Sequence, residues 1–419
     1  MNRYDVKYFD EGHTEDEHDG KRDGPSESVE QGKSEGGEQG GSSAALLPGP
    51  GTESEYIHTN WNVLVTSYGW KRGGRNVRWA RRVPHYGQGL IDRGAPAYGK
   101  EVVKWCNDFG IHAISGYYEP RAPENPLPNF RSALWPQALG SVKLCHMFSA
   151  DAYPAKRDAL VTEVSRWGAD MQNDKYARIR VESNTPRPLL LMWGPGWSQN
   201  PVDFGKMLTT MRNAIRPLAG EPFVVATEHI VDKVDGNTAI RDLFVAHVDG
   251  VYNHGCALPW KINEEWSALL SSQRLGTMLA AQRQVCSRYG KVFFSGTMPT
   301  FDRDLYGAEF EHTPLAPQGR VVAKGVDQIT AQLTAARRFA PISYSEIREE
   351  ANGLHVYQDA WVILTSLNEW EEGTTLEPSL VRGSAYQVPN YDSGFDGFSA
   401  IKTVYRDTVV RRRVPATPQ

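Results

Sequence analysis

The sequence predicts an α/β protein built as a (β/α)8 TIM barrel. From Trp61 onward, short apolar runs alternate with longer amphipathic stretches, and eight apolar runs occur before the end of the chain. Strict alternation of strands and helices predicts a parallel sheet. An open, doubly wound sheet favours a glycine-rich phosphate turn after its first strand, but Gly69, Gly73 and Gly74 match neither common spacing. Eight successive units therefore favour a closed barrel.

Each predicted strand is a short apolar run of the kind that a buried parallel sheet requires. These strands are predicted at residues 62–67, 111–116, 141–148, 187–192, 222–227, 248–251, 292–295 and 361–366. Helices are predicted at residues 96–109, 155–172, 201–215, 238–246, 264–289, 325–338 and 397–410. Gly110 and Gly290 directly follow two of these helices, and Pro201 stands in the first turn of a third, positions that these residues favour.

The first 55 residues differ from the rest of the chain. They are rich in Glu, Asp, Gly and Ser and poor in large apolar side chains. Such a segment cannot bury enough apolar surface to offset the entropy cost of ordering it. We therefore predict a disordered acidic arm at residues 1–55, in which Tyr4 to Phe9 packs as a short hook, and one catalytic domain at residues 56–419.

Charge and composition exclude several classes of protein. The formal net charge is −4 and the sequence pI is about 6.3, which argues against nucleic-acid binding. No apolar run reaches the ~18 residues that span a bilayer, and no signal peptide is visible, so a cytoplasmic location without a membrane span is expected. The 4 cysteines form no CxxC pair and are expected to be buried free thiols. The oligomeric state stays open.

Candidate site residues follow the predicted strands, because active sites of such barrels lie at the C-terminal ends of the strands. Their types, aromatic, His, amide and carboxylate, suit a carbohydrate or glycoconjugate substrate, since aromatic faces stack on sugar rings. The 12 Trp and 18 Tyr of the chain fit either this role or a large core. The predicted substrate contacts are Tyr68, Trp70, Tyr117, Tyr118, His146, Trp193, Tyr252, Asn253, Asp302, Asn368 and Trp370.

Other chemistries find less support in the sequence. Ser295 and Ser366 lack the strand-turn-helix context of a nucleophilic serine. His146, His229 and His254 follow three different strands but show no HxH or HExxH spacing, so no metal is predicted. No cofactor is predicted either.

Glu369 and Glu372 lie three residues apart, directly after the eighth predicted strand. Glycosidic cleavage uses two carboxyl groups, one to protonate the leaving oxygen and one to act as base or nucleophile. Residues at this spacing in one tight turn can face the same cavity, and mutual repulsion together with burial would raise one pKa. The alternative, a solvated acidic rim, stays open on composition alone.

The segment from Thr365 to Pro378 reads T-S-L-N-E-W-E-E-G-T-T-L-E-P. It resembles the pattern T-S-F-N-E-W-x-E-G-T-x-x-E-P of glycoside hydrolase family 99, the endo-α-mannosidases and endo-α-mannanases, and of related polysaccharide-biosynthesis proteins. Weaker similarities extend over residues 61–390. They include Tyr68 and Trp70, residues 109–111, 176–179 and 249–252, and residues 299–303.

The resemblance implies a (β/α)8 fold and a retaining reaction through a 1,2-anhydro sugar. Glu369 would correspond to the base that deprotonates the sugar 2-hydroxyl. Glu372 would correspond to the group that protonates the leaving oxygen and then activates water. Asn368 and Trp370 would shape and hold the turn, and Glu377 would match a further acidic residue of the family, in a supporting role.

Three departures leave the sugar open. Glu371 stands where the family hydrolases carry His, the third strand is followed only by Asp151 as an acid, and residues 193–196 lack the family's Tyr-Asp-Ser-Tyr-like segment. Two alternatives therefore remain beside an α-glycosidase. One is a glycan- or glycosylated-metabolite-assembly enzyme, a transferase or trimming enzyme; the other is a non-catalytic carbohydrate-binding barrel.

Overall fold

The structure is a computed structural model, and every statement below concerns the residues that it describes. These are residues 7–8, 55–67, 82–84, 96–118, 127–137, 142–150, 157–180, 185–194, 200–227, 244–254, 268–298, 326–350, 353–368, 376, 379–381, 396–406 and 411–413. Of the predicted acidic arm, only residues 7, 8 and 55 are among them, so the disorder of the arm stays a prediction.

The described elements alternate between strand and helix over most of the chain. The strands are β1 Lys7–Tyr8, β2 Glu55–Ser67, β3 Arg82–Pro84, β4 Ile111–Tyr118, β5 Lys143–Ser149, β6 Arg178–Ile179, β7 Arg187–Trp193, β8 Phe223–Thr227, β9 Gly250–Tyr252, β10 Val292–Thr297, β11 Pro341–Glu350, β12 Gly353–Leu364, β13 Ser379–Val381 and β14 Arg411–Arg413. The helices are α1 Pro96–Phe109, α2 Leu127–Asn129, α3 Arg157–Met171, α4 Pro201–Ala219, α5 Ala268–Arg288, α6 Val326–Arg337 and α7 Asp396–Ile401. Short π-helical turns continue α2 and α7, at Phe130–Leu134 and Lys402–Arg406.

Eight of these strands form a closed parallel barrel. Their hydrogen-bonded order is β2, β4, β5, β7, β8, β9, β10 and β12, and β12 pairs with β2 to close the ring. Each pair in the ring is parallel. Each barrel strand overlaps one of the eight predicted apolar runs, so the predicted fold class is confirmed.

The helix predictions hold best where a capping signal is present. Helix α1 covers the predicted residues 96–109, and α4 begins at the predicted Pro201. The Oδ1 of Asn200 accepts a hydrogen bond from the backbone N–H of Val202 at 2.9 Å, and Pro201 stands where no N–H donor is needed. Most of the helix predicted at 238–246 lies outside the described residues.

Antiparallel strands extend the barrel beyond its N-terminal end, and the sequence analysis did not predict them. β12 begins at Gly353 instead of residue 361, and its first half pairs with β11 in an antiparallel hairpin. β2 begins at Glu55, and its first half pairs with β14. β1 pairs with β11 through Lys7 and Tyr8, the described part of the predicted hook. A separate two-stranded ribbon joins β3 and β13.

Asp249 ties three neighbouring barrel strands together near their N-terminal ends. Its carboxylate lies 2.9 Å from the guanidinium of Arg187 at the start of β7 and 2.7 Å from that of Arg212 on α4. It also accepts a hydrogen bond from the backbone N–H of Val224 in β8 at 2.9 Å. Gly250, the next residue, has no room for a Cβ, which would lie 2.9 Å from the Phe294 ring. This cluster sets the spacing of β7, β8 and β9.

Three of the cysteines agree with their prediction. Cys106 and Cys145 are buried free thiols, Cys286 is buried, and Cys256 lies outside the described residues. Burial raises the pKa of the Cys106 and Cys145 thiols.

None of the described helices combines the length and the apolar character that crossing a membrane requires.

Candidate active site

The two faces of the barrel strands are distinguished by their side-chain contacts. The rings of Phe148 on β5 and Trp167 on α3 have centroids 6.3 Å apart, so Phe148 faces outward, toward the helices. Its neighbour Met147 faces the lumen, because its Sδ lies 3.5 Å from the hydroxyl of Tyr252 on β9. Successive residues of a strand alternate between faces, and residues in register on parallel neighbours share a face. The remaining strand residues can be assigned in the same way.

Aromatic and polar side chains occupy the inner face at the C-terminal mouth of the barrel. Within the described residues they are Tyr117, Ser149, Trp193, Thr227, Tyr252, His254 and Thr365. Trp193 lies in register with Ser149 and is only partly buried, whereas the other members of this group are buried. The structure therefore brings together three of the predicted substrate contacts, Tyr117, Trp193 and Tyr252.

His254 is the centre of a hydrogen-bonded cluster in the lumen. Its Nδ1 lies 3.1 Å from the hydroxyl of Tyr252 and 3.1 Å from the Oγ1 of Thr365. The side chain is 3% exposed, so the cluster is almost dry. It connects the end of β9 to the residue that directly follows β12, and Tyr252 continues the connection to Met147 on β5.

The segment that leads into the acidic motif leaves the barrel from a firmly held base. The backbone N–H of Leu376 donates to the carbonyls of Ser366 and Leu367, at 2.9 and 3.1 Å, so the two ends of residues 368–375 meet. The N–H of Leu367 donates to the carbonyl of Thr66 at 2.7 Å. The peptide between Thr365 and Ser366 is cis. The described residues on either side of the segment that contains Glu369 and Glu372 are therefore held together at the barrel mouth.

Asn368 anchors this base on its outer side. Its Oδ1 accepts a hydrogen bond from the Ser67 hydroxyl at 3.3 Å, and its Nδ2 donates to the Tyr98 hydroxyl of α1 at 3.1 Å. The side chain is 1% exposed. These contacts agree with a role in holding the turn, whereas Asn368 was also predicted to contact substrate, and its side chain is engaged with the wall of the barrel.

Three predicted substrate contacts face away from the lumen. The Tyr118 ring packs edge-on against Trp167, with centroids 6.0 Å apart. The Nδ2 of Asn253 donates to Gln282 on α5 at 2.7 Å. His146 is covered by Trp167 on α3 and by Trp135, which directly follows the π-helical turn Phe130–Leu134. Each follows or precedes an inward-facing residue, so strand alternation places it on the outer face. This placement does not support a direct sugar contact for Tyr118, His146 or Asn253.

His146 is a packing residue of the outer layer. Its ring stacks on Trp135 at 5.9 Å and lies 4.5 Å from the Trp167 ring. Its Nε2 lies 2.9 Å from the Asp170 carboxylate, which also pairs with Arg131 at 2.8 Å. Burial lowers the pKa of His146, and the hydrogen bond that its ring makes to the Asp170 carboxylate opposes that effect only in part. The imidazole is thus sealed between sheet and helix.

The remaining predicted site residues lie outside the described part of the chain. They are the substrate contacts Tyr68, Trp70, Asp302 and Trp370, the proposed pair Glu369 and Glu372, and the neighbouring acids Asp151, Glu371 and Glu377. Their roles stay predictions. The structure describes the residues on either side of 369–375, which are 365–368 and Leu376.

The sequence analysis missed several residues of the inner mouth. Ser149 and Thr227 are the last residues of β5 and β8, Thr365 directly follows β12, and none of these hydroxyl residues was proposed as a site residue. Their spacing along the strand indicates that they face the lumen. Each lies an even number of residues from an inward-facing residue of the same strand, and side chains at such a spacing share a face. Within the described part of the chain, the buried Ser149 Oγ has no hydrogen-bond partner, which leaves a polar atom available at the mouth.

Histidines do not converge into a metal site in the described residues. His146 lies outside the barrel and His254 inside it. Over the described parts of the chain, no group of three or more His, Cys, Asp or Glu side chains has a geometry that could hold a metal ion. Among its described residues, the inner mouth offers hydroxyls, aromatic rings and the imidazole of His254, while His229 lies outside the described residues.

No family model and no curated protein matches the chain. Among solved structures, a glycoside hydrolase-like protein is similar with a TM-score of 0.55 and 14% identity, over 83% of this chain and 94% of its own. The family 99 endo-α-mannosidase from Bacteroides thetaiotaomicron, in complex with bis-tris-propane, is similar with a TM-score of 0.52 and 13% identity, over 82% of this chain and 95% of its own. The chain therefore shares the barrel fold of these proteins over most of its length.

Proposed function

We propose that the chain is a glycoside hydrolase that cleaves an α-linked, mannoside-like glycosidic bond. The observation that carries the proposal is the place at which the N-E-W-E-E-G-T segment leaves the barrel. It starts at Asn368, four residues after the eighth barrel strand ends beside a lumen lined by aromatic and hydroxyl groups. Active sites of (β/α)8 enzymes lie at this end. The fold shared with a family 99 endo-α-mannosidase supports the same reading.

In the proposed reaction, Glu369 removes the proton from the sugar 2-hydroxyl, which attacks C1 to form a 1,2-anhydro sugar. Glu372 donates a proton to the leaving oxygen as the glycosidic bond breaks. Glu372 then removes a proton from water, which opens the anhydro ring at C1, and Glu369 returns its proton to O2. Two inversions at C1 give net retention. Trp193 offers an indole face for a sugar ring at the mouth.

The test compares Glu369→Gln and Glu372→Gln on α-linked manno-oligosaccharides, with Glu101→Gln on α1 as the matched control. Both site variants are expected to lose turnover by roughly 10³-fold or more while the fold is retained, and the control keeps full activity. Full activity in either site variant would refute the assignment.

Glycosyl fluorides separate the two roles, because fluoride leaves with little need for a proton. On α-mannosyl and α-mannobiosyl fluorides, Glu372→Gln is expected to release fluoride in a first turnover, whereas Glu369→Gln releases none. The reverse pattern would exchange the two assignments.

The same assays address the alternative functions. Transfer to an added sugar acceptor without hydrolysis would favour an enzyme of glycan or glycosylated-metabolite assembly. Sugar binding that survives both Gln substitutions, with no bond cleaved by the wild type, would indicate a non-catalytic carbohydrate-binding barrel.

A further inference from the structure

His254 joins two barrel strands that are not neighbours. In the ring, β10 lies between β9 and β12, yet the Nδ1 of His254, two residues after β9, reaches the Oγ1 of Thr365, directly after β12. The intervening strand carries Gly296 at this level, in register with Ile363. A Cβ on Gly296 would lie 2.1 Å from the Ile363 carbonyl oxygen and 2.4 Å from that of Asn253. The absence of a side chain at Gly296 therefore allows β9 and β12 to approach.

The ring of His254 is itself held in place. The Tyr252 hydroxyl lies 3.1 Å from the same Nδ1, and the two rings meet edge to face with centroids 5.7 Å apart. Tyr252 is 0% exposed and also contacts Met147 on β5. The Tyr252 hydroxyl and the Thr365 Oγ1 thus meet at the same ring nitrogen. Because all three side chains are buried in a close-packed interior, the ring can hold Thr365 in place.

Thr365 stands four residues before Glu369. Its backbone N–H donates to the carbonyl of Thr297 at 3.1 Å, and the residues after it are tied to Thr66 and Leu376. On the outer side, Asn368 is tied to Ser67 and Tyr98. On the lumen side, the tether is the contact between Thr365 and His254. The last residues before the acid pair are therefore fixed from both faces of the barrel wall.

We propose that His254 is a positioning residue for the acid pair. Its Nδ1 holds the Thr365 hydroxyl and so fixes the direction in which the chain leaves the barrel toward Glu369 and Glu372. The inference rests on the proposed function for the role of the pair, but the tether itself stands on the described contacts. His254 acts through Thr365 and needs no contact with substrate.

Matched substitutions separate the tether from general packing. His254→Leu removes the ring nitrogen, whereas His254→Asn keeps a hydrogen-bonding atom close to the position of Nδ1. Thr365→Val removes the hydroxyl at nearly constant shape, whereas Thr365→Ser keeps it.

On an α-linked manno-oligosaccharide, we expect His254→Leu and Thr365→Val to lower kcat by roughly 10- to 100-fold with KM nearly unchanged. A small misplacement of a catalytic group has a cost of this order. His254→Asn and Thr365→Ser should recover most of the rate, and the double variant should be no worse than the worse single one.

Hydrogen exchange gives a second readout that does not depend on activity. The peptide covering residues 365–376 should exchange faster in His254→Leu and Thr365→Val than in the wild type, while a peptide covering residues 143–149 of β5 is unchanged. If the wild type cleaves none of the sugars, the proposed function has failed, and the exchange data alone decide on the tether. Unchanged kcat and unchanged exchange in Thr365→Val would overturn the inference. Faster exchange throughout the barrel in His254→Leu, with Thr365→Val like the wild type, would also overturn it and make His254 a packing residue.

Discussion

Replacing Asp249 by Asn should destabilise the protein, because this carboxylate forms ion pairs with two guanidinium groups. The side chain is 9% exposed, and those of Arg187 and Arg212 are 22% and 19% exposed. Asn keeps the size of Asp but has no charge and only one oxygen. In Asp249, Oδ1 accepts from Arg187, and Oδ2 accepts from Arg212 and from the Val224 backbone N–H. The NH2 group of Asn would replace one of these two oxygens, so in either orientation it would face N–H donors that have lost their acceptor.

The expected loss follows from these contacts. Removing one partner of a buried ion pair costs about 3–5 kcal/mol, and a hydrogen bond to a charged group contributes about 1.5–3 kcal/mol. Both arginines keep some contact with water, and Arg212 retains an ion pair with Glu221 at 2.9 Å. The estimate is therefore reduced to about 2–4 kcal/mol of unfolding free energy.

Denaturant unfolding followed by tryptophan fluorescence measures this loss, as a lower midpoint at an unchanged slope. Asp108→Asn is the matched control. Its ion pair with Lys104 is short, at 2.6 Å, but the two side chains are 48% and 64% exposed, so no measurable change is expected. An Asp249→Asn variant as stable as the wild type, or a control that loses as much, would refute the argument that burial determines the strength of these pairs.

Two further predictions concern stability. Burial, together with Lys143, lowers the pKa of His112 to about 4, so this ring is neutral in the folded chain, while the unfolded chain binds a proton below its ordinary pKa of 6.5. The free energy of unfolding should therefore fall by about 3 kcal/mol from this group as the pH drops from 6.5 to 4. His112→Gln should flatten the pH dependence of the denaturation midpoint. An equally steep pH dependence in the variant would contradict this prediction. Gly296→Ala should destabilise by about 1–3 kcal/mol or more, because the added Cβ would lie 2.1 Å from the Ile363 carbonyl oxygen. Gly276→Ala on α5 meets nothing within 4 Å and should stabilise by about 0.5–1 kcal/mol, so thermal melts that shift in the same direction for both would count against this packing argument.

The barrel could be predicted because its strands are buried on both faces. A parallel strand covered by helices appears in the sequence as a short apolar run, and the runs at 111–116 and 187–192 became β4 and β7 with changes of two residues and one residue at the C-terminal end. The hairpin of β11 and β12 has a different signal. Asn352-Gly353 is a dipeptide that hairpin turns favour, and it is followed by the alternating residues Leu354, His355 and Val356. That signal was present in the sequence but was not used.

The site was harder to predict because it depends on which of two successive strand residues faces the lumen. Tyr117 and Tyr118 are adjacent and chemically identical, yet one faces the lumen and the other packs on Trp167. Sequence alone does not fix which of two successive residues faces inward, because apolar residues occur on both faces of these strands. The contact between His254 and Thr365 depends further on the close approach of their strands at Gly296, which no local pattern encodes.

The central claim is that Glu369 and Glu372 cleave an α-glycosidic bond by way of the sugar 2-hydroxyl. Anomer-resolved NMR of the first product formed, recorded before mutarotation, tests it most directly. The wild type is expected to release the α-anomer from an α-linked manno-oligosaccharide. A substrate with a methylated 2-hydroxyl at the cleaved sugar should not be turned over. Release of the β-anomer, or cleavage of the 2-O-methyl substrate at the normal rate, would contradict it.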